Sequence, residues 1–351
     1  MRRITAKIII LGALLSNGVM MGCDSPYSFG SAGSTGDEKV HAVFDSTLIK
    51  LQNAYVAQKL GMFIHFNMST FARYDYPSPE GEWEQGSEDE NLFHPESLNL
   101  GQWADVAKSA HCKYAVMTTK HHGGFCLWPS NGPWTAGHPH SIVQSSWYQQ
   151  HGQRDILREF VDSVRSRGLE PGFYFSIWDR TNTANIALVK GQLTEILSNY
   201  GDIKVIWFDG WYWKVGYVTI PYDTVANLVH ELNAKLGHHT IITENNRQTT
   251  LYNTEIAQYE IPITKAPLAG NTVPAEGNEP LRFDDCWFWH PMNSTAKSTQ
   301  FIVDRIATVN AAHATYLLDV TPDTLGLIPA DQVQRMQEIG NTAVQQGLLQ
   351  P

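Results

Sequence analysis

From residue 59 onward, short apolar runs of β-type residues alternate with longer stretches whose apolar positions recur at helical spacing. Eight runs of the first kind stand out: "LGMFIHF" (60–66), "YAVMTT" (114–119), "PGFYFSI" (171–177), "KVIWFDG" (204–210), "TIITEN" (240–245), "TEIAQYE" (254–260), "CWFWH" (286–290) and "TYLLDV" (315–320). Helical patterns lie between them at 155–168, 187–201, 222–237 and 299–312, and the first three end in glycine or run up to one. Strand followed by helix, repeated, predicts a parallel sheet, because parallel neighbours need a crossover. Eight such units in about 300 residues predict an α/β fold of the (β/α)8 TIM-barrel type rather than an open doubly wound sheet. No glycine-rich phosphate fingerprint follows the first strand, which agrees. Segment 261–285 shows no clear helix and reads as a long loop ahead of strand seven.

In a parallel barrel the carboxyl ends of the strands share one face, where loops converge and ligands bind. That face gathers His65 from strand one, His121 and His122 behind strand two, Tyr174 and Trp178 from strand three, and Trp207 and Asp209 from strand four. Strand five ends in Asn245, Asn246 and Arg247, Glu255 and Glu260 bracket strand six, and Trp289 and His290 end strand seven. The chain has 11 tryptophans; Trp83, Trp128 and Trp211 fall in adjoining loops, whereas Trp103 and Trp147 read as core. Aromatic walls with imidazole, carboxylate and amide groups suit a sugar ring, whose C–H faces stack while its hydroxyls take hydrogen bonds. Asp209 stands out within "VIWFDGW". Its bulky neighbours would bury it, and a buried carboxylate needs hydrogen bonds, a cation or a function. Plainer readings make His65 a satisfied core histidine and Glu244 and Glu255 surface charges. Side chains of adjacent residues on an extended chain diverge, so His121 and His122 are not expected to share a metal ion, and no metal site is expected.

The first residues change the setting. Arg2, Arg3 and Lys7 precede the apolar run "IIILGALL", and "VMMGC" follows. Residues 1–22 read as a signal peptide of lipoprotein type, cut before Cys23, which would be acylated, although Met20 and Met21 depart from the usual residues. Plain secretion is the alternative; the run falls short of the roughly 20 residues a membrane span needs. Residues 23–38 are Ser/Gly-rich and polar, as a flexible tether would be, and 39–351 form the barrel domain. The formal charge of −10 becomes more negative once the three basic residues of the leader are gone, which argues against nucleic acid as partner. Beyond Cys23 only Cys112, Cys126 and Cys286 remain, an odd number that suggests no disulfide framework.

Several ordered blocks of the chain match a known family. "LGMFIHFN", "GEW" (81–83), "YAVMTTKHHGGFCLWPS", "GFYFSIWD", "VIWFDGW" and "YLLDVTPDTLG" together resemble the blocks of glycoside hydrolase family 29, the retaining α-L-fucosidases. The resemblance spans roughly residues 48–325 and implies Asp209 as nucleophile. It further implies that His65, Glu82, His121, His122, Tyr174, Trp207 and Arg247 line the sugar pocket; Trp83 and Trp289, by their place at the same face, are expected to bind substrate beside them. Around the acid/base the family varies, so "TEIAQYEIP" offers Glu260, preferred by its spacing from "NNR", and Glu255 as the alternative. Phe66–Asn67 replaces Trp-Gly and Asp319 replaces Asn, and the β-sandwich that commonly follows the barrel is not expected.

The expectation is therefore an exported, periplasmic or cell-surface, lipid-anchored α-L-fucosidase that acts on fucosylated oligosaccharides or glycoconjugates without a cofactor. It would meet the membrane only through its lipid. Two rivals are a hydrolase of a related sugar, such as an α-L-galactoside or modified fucose, and a carbohydrate-binding lipoprotein without turnover. A metal-dependent amidohydrolase is disfavoured by the ligand spacing.

Overall fold

Eight strands appear in the computed structural model, which describes residues 46–72, 79–130, 132, 140–182, 184–214, 216–245, 251, 254–292 and 295–351. The expected leader, Cys23, the tether, Asn246 and Arg247 lie outside the described residues. The strands are β1 Leu60–Ile64, β2 Tyr114–Lys120, β3 Glu170–Ser176, β4 Val205–Asp209, β5 Ile241–Glu244, β6 Ala257–Glu260, β7 Ala275–Pro280 and β8 Ala314–Asp319. They run parallel in the order β5-β4-β3-β2-β1-β8-β7-β6, and a parallel bridge between Thr243 and Ile256 joins the two ends. The sheet thus closes into the (β/α)8 barrel that the alternation predicts.

Helices Ile156–Ser166, Ile186–Asn199, Tyr222–Leu236 and Thr299–Ala311 fall within a few residues of their predicted bounds. Their local signals explain why. The Asp155 side chain accepts the Arg158 N–H at the start of one, and Gly237, at φ +69°, ends another in the left-handed region. Helices Leu100–Ser109 and Ala330–Gln345 also cover the barrel, although neither was predicted.

Side chains alternate across the strands, so two cores form. Phe63, Tyr114, Val116, Tyr174, Val205, Trp207 and Leu317 fill the inside, whereas Met62, Ile64, Met117, Phe173, Ile206 and Phe208 pack outward against helices. Beneath the strand ends, the buried Glu276 carboxylate accepts from the hydroxyls of Tyr55 and Tyr114, from Trp207 Nε1 and from Gln258 Nε2. Four donors satisfy a charge that would otherwise be prohibitive to bury.

This polar floor explains one correction. Strand seven is "AEGNEP", not "CWFWH", which forms a loop without strand structure. Glu276 and Asn278 are buried polar residues whose partners lie on other strands, with Gln258 accepting from Asn278 Nδ2, so the strand carries no apolar run to read. A β-bulge is the second local feature: the β2–β3 register shifts between Thr118 and Lys120. It turns Lys120 outward onto Asp179 and Gln192, and His121 inward.

Candidate active site

At the carboxyl ends lies a pocket to which five strands contribute directly. Phe63 comes from β1 and His65 from just past its end, Tyr174 from β3, Trp207 and Asp209 from β4, Glu260 from β6 and Asn278 from β7, and His121 follows β2. Asn245 follows β5, Glu82 and Trp83 come from the loop after β1, and Trp287 from the loop after β7.

Asp209 is held on several sides. Its Oδ2 accepts the Tyr174 hydroxyl at 2.9 Å; its Oδ1 accepts Gly210 N–H at 2.7 Å and Trp213 Nε1–H at 3.1 Å. Burial raises its pKa above the usual aspartate value, and these three donors oppose that by favouring the carboxylate. Asn245 Nδ2 links it to the second acid, lying 3.4 Å from Asp209 Oδ1 and 3.0 Å from Glu260 Oε2. The two carboxylate oxygens are therefore no further apart than those distances laid end to end.

Glu255 lies elsewhere. Its Oε1 meets His230 Nε2 at 2.7 Å and its Oε2 accepts Ile242 N–H at 2.7 Å, so this carboxylate ties a helix to β5. It is not the surface charge of the plainer reading, being buried.

The histidines divide the work. His65 Nδ1 lies 2.8 Å from Asp319 Oδ1, so the aspartate that departs from the family pattern orients this imidazole. Burial raises the Asp319 pKa, and His65 opposes the shift. Contrary to expectation, His121 and His122 do not diverge: their ring centroids are 4.1 Å apart, because β2 ends at Lys120 and the chain turns there. Burial, reinforced by neighbouring histidines and cations, pushes both pKa values well below the usual one, leaving both neutral. Ser176 Oγ donates to Trp178 O at 2.6 Å, so it accepts from His122 Nδ1 at 2.7 Å. His122 Nε2 is then the acceptor nitrogen, 3.7 Å from Asp209 Oδ2.

Glu82 reaches the pocket wall, where its oxygens accept the backbone N–H groups of Trp287, at 3.1 Å, and Phe288, at 2.9 Å. Trp83, Trp178 and Trp213 surround the Lys214 ammonium, with ring centroids 4.0, 3.9 and 4.6 Å from Nζ. Trp207 stacks on Tyr174 at 20° between planes and 5.5 Å between centroids. Trp287, not the expected Trp289, lines the pocket, 5.2 Å from His65 between ring centroids. Trp128 and Trp211 are core, like Trp103 and Trp147. Phe66 packs on Phe71, Phe93 and Trp103, and Asn67 caps the following turn, so that departure from the family leaves the pocket untouched.

Sequence reasoning missed Glu84, Asn278, Trp213 and Trp287. Glu84 is buried behind His121, with Oε1 3.9 Å from His121 Nδ1, and burial lifts its pKa to about 7. Asn278 Nδ2 donates to Gln258 Oε1 at 2.8 Å, whereas Asn278 Oδ1, on a pocket residue, has no hydrogen-bond partner; His121 Nδ1 also has none and faces the Glu84 carboxylate. Unfilled buried polar atoms in a pocket are places for ligand hydroxyls.

Comparison with known proteins agrees with this geometry. The family model for Alpha-L-fucosidase matches residues 37–347. Alpha-L-fucosidase 1 of Arabidopsis thaliana is 29% identical over 308 residues, covering 80% of this chain and 56% of that protein. Putative alpha-L-fucosidase 1 of Oryza sativa is 28% identical over 305 residues, covering 80% and 55%. The chain thus spans about half the length of these curated relatives. Among solved structures, alpha-L-fucosidase isoenzyme 1 from Paenibacillus thiaminolyticus superposes with a TM-score of 0.68 at 25% identity, covering 86% of this chain and 77% of that one. The Lactobacillus casei enzyme in complex with α-L-fucose gives 0.69 at 21%, covering 86% and 100%, a likeness of fold. With a family match over nearly its whole length and a closed barrel carrying a carboxylate pair at its mouth, the chain belongs to the α-L-fucosidase family.

Proposed function

We propose that this chain is an exo-acting, retaining α-L-fucosidase that releases terminal α-L-fucose from oligosaccharides or glycoconjugates. The observation that carries the reading is the Asn245 amide bridging Asp209 and Glu260. The amide reaches one oxygen of each carboxylate, at 3.0 and 3.4 Å, which holds the two groups close together, as a retaining pair requires. Retaining pairs stand about 5–5.5 Å apart, since no water needs to fit between nucleophile and sugar.

In this reading Asp209 attacks the anomeric carbon while Glu260 gives its proton to the departing glycosidic oxygen. A covalent fucosyl-enzyme results. Water then attacks the same carbon, Glu260 takes its proton, and Asp209 leaves, so two inversions restore the α configuration. Gly210 N–H, Tyr174 and Trp213 donate to Asp209 and favour its ionised form against the effect of burial. Neutral His122 offers Nε2 as acceptor to a ring hydroxyl, and His65, oriented by Asp319, Asn278 Oδ1 and His121 take others. The sugar's methyl would rest against the aromatic wall, worth on the order of 1 kcal/mol. Arg247 belongs to the same proposed set by family resemblance.

The same proposal covers the setting: a bacterial catalytic barrel, exported by residues 1–22 and anchored through Cys23. The motif "VMMGC" behind an apolar run supports it.

NMR of an aryl α-L-fucoside during turnover tests the mechanism. The first product should be α-fucose. β-Fucose formed first rejects retention, and binding of fucose without turnover makes the chain a carbohydrate-binding protein.

A further inference from the structure

We propose that the loop after β7 holds a structural divalent cation of the Zn2+ class, ligated by Asp284, Cys286 and His290. The three residues each offer a ligand atom, and these atoms lie within 4.8 Å of one another. Cys286 and His290 are 5% and 2% exposed, whereas Asp284 is partly open to solvent. The group is already drawn together: His290 Nε2 is 3.1 Å from Asp284 Oδ2, and Asp284 Oδ1 accepts the Cys286 N–H at 3.3 Å.

The donor chemistry selects the ion. Thiolate, imidazole and carboxylate form a borderline set that suits Zn2+, whereas Ca2+ and Mg2+ take oxygen ligands. Bonds of about 2.0–2.3 Å around a tetrahedral ion put ligand atoms roughly 3.3–3.7 Å apart, so a cluster whose atoms lie within 4.8 Å closes on the ion by up to about 1 Å. Three protein ligands leave one corner for water, on the side where Asp284 meets solvent. On binding, the Cys286 S–H bond gives way to an S–Zn bond and the thiol proton passes to solvent, so uptake strengthens as pH rises.

Placement gives the ion a purpose. Cys286 and His290 flank Trp287 and Phe288, the two residues whose N–H groups Glu82 holds. Trp287 lines the pocket, and the Phe288 ring centroid is 4.9 Å from that of His121. Glu82 fixes this segment from the pocket side, and the ion would fix it from both ends. The proposal is independent of the hydrolytic reading, since it concerns how a loop is held.

The test uses the full-length protein, stripped with a chelator and then given Zn2+ or Co2+. Wild type should retain one Zn2+ per chain through gel filtration and gain thermal stability from it. With Co2+ it should show a thiolate-to-metal charge-transfer band and tetrahedral d–d bands. Cys286→Ser should abolish the charge-transfer band, and His290→Asn should weaken Zn2+ uptake more than tenfold while near-UV circular dichroism reports an intact fold. Asp284→Asn provides a second variant if Cys286→Ser fails to fold. Stoichiometric Zn2+ absent from wild type, or a cobalt–thiolate band that survives Cys286→Ser, overturns the proposal.

Discussion

The backbone N–H of Gly123 donates to Glu84 Oε2 over 2.9 Å, and a Cβ at position 123 would lie 2.1 Å from that same oxygen. Glycine is required there because a carboxylate occupies the space a side chain would need. Gly123→Ala must displace Glu84, which also accepts Ser69 N–H at 2.9 Å, and the turn carrying His121 and His122 with it. The expected cost is about 1–3 kcal/mol in urea unfolding, together with a fall in kcat/KM. A variant as stable and active as wild type would show that the turn relaxes freely.

Glu84 also predicts a pH dependence. Its folded pKa is about 7 against an ordinary 4.5, with burial as the main cause. A raised folded value means that the folded state binds the proton more tightly. The resulting stability is fully present below 4.5 and is lost as pH rises through 7. Relative to Glu84→Gln, wild type should lose about 3 kcal/mol between about pH 4 and pH 8. Urea unfolding of both proteins across that range measures it, and a constant difference rejects it.

Glu260 and Glu255 are separable by leaving group. Loss of the general acid should slow poor leaving groups by about 10²–10⁴-fold while sparing activated aryl fucosides. With an activated substrate Glu260→Ala should accumulate fucosyl-enzyme, and azide should restore turnover. Glu255→Ala, which breaks the pair with His230, should lower stability without that signature. Leaving-group dependence in the Glu255 variant would reverse the roles.

Lys214 sits among three indoles, and cation–π attraction in a partly desolvated site is worth about 1–2 kcal/mol. Lys214→Met should destabilise the fold by that order, whereas Lys235→Met on an exposed helix position should change little. Equal effects of the two substitutions would remove the cage from the account.

Anchoring is tested at Cys23. Cys23→Ser should move the protein from the membrane fraction to the soluble fraction with kcat/KM unchanged, because the proposed anchor is a lipid on that sulfur. Equal membrane association of both forms counts against the anchor.

The sequence alone determined the barrel and much of its mouth. β1 to β5 and β8 are legible because both faces of a parallel strand are covered, which makes them nearly continuous apolar runs. Asp209 is legible because a lone carboxylate in such a run is costly without a purpose, and the structure puts it in the pocket. Strand β7 is not, since Glu276 is matched by Tyr55, Tyr114, Trp207 and Gln258 and the Asn278 amide donates to Gln258, residues of other elements of the chain. The same limit applies to Glu84, whose burial behind His121 follows from the fold of a loop. Periodicity records which face of an element is covered, because burial repeats with the backbone. Which of Glu255 and Glu260 meets Asp209, whether Trp287 or Trp289 turns inward, and how near His121 lies to His122 depend on packing between distant segments, and those distances exist only in the closed barrel.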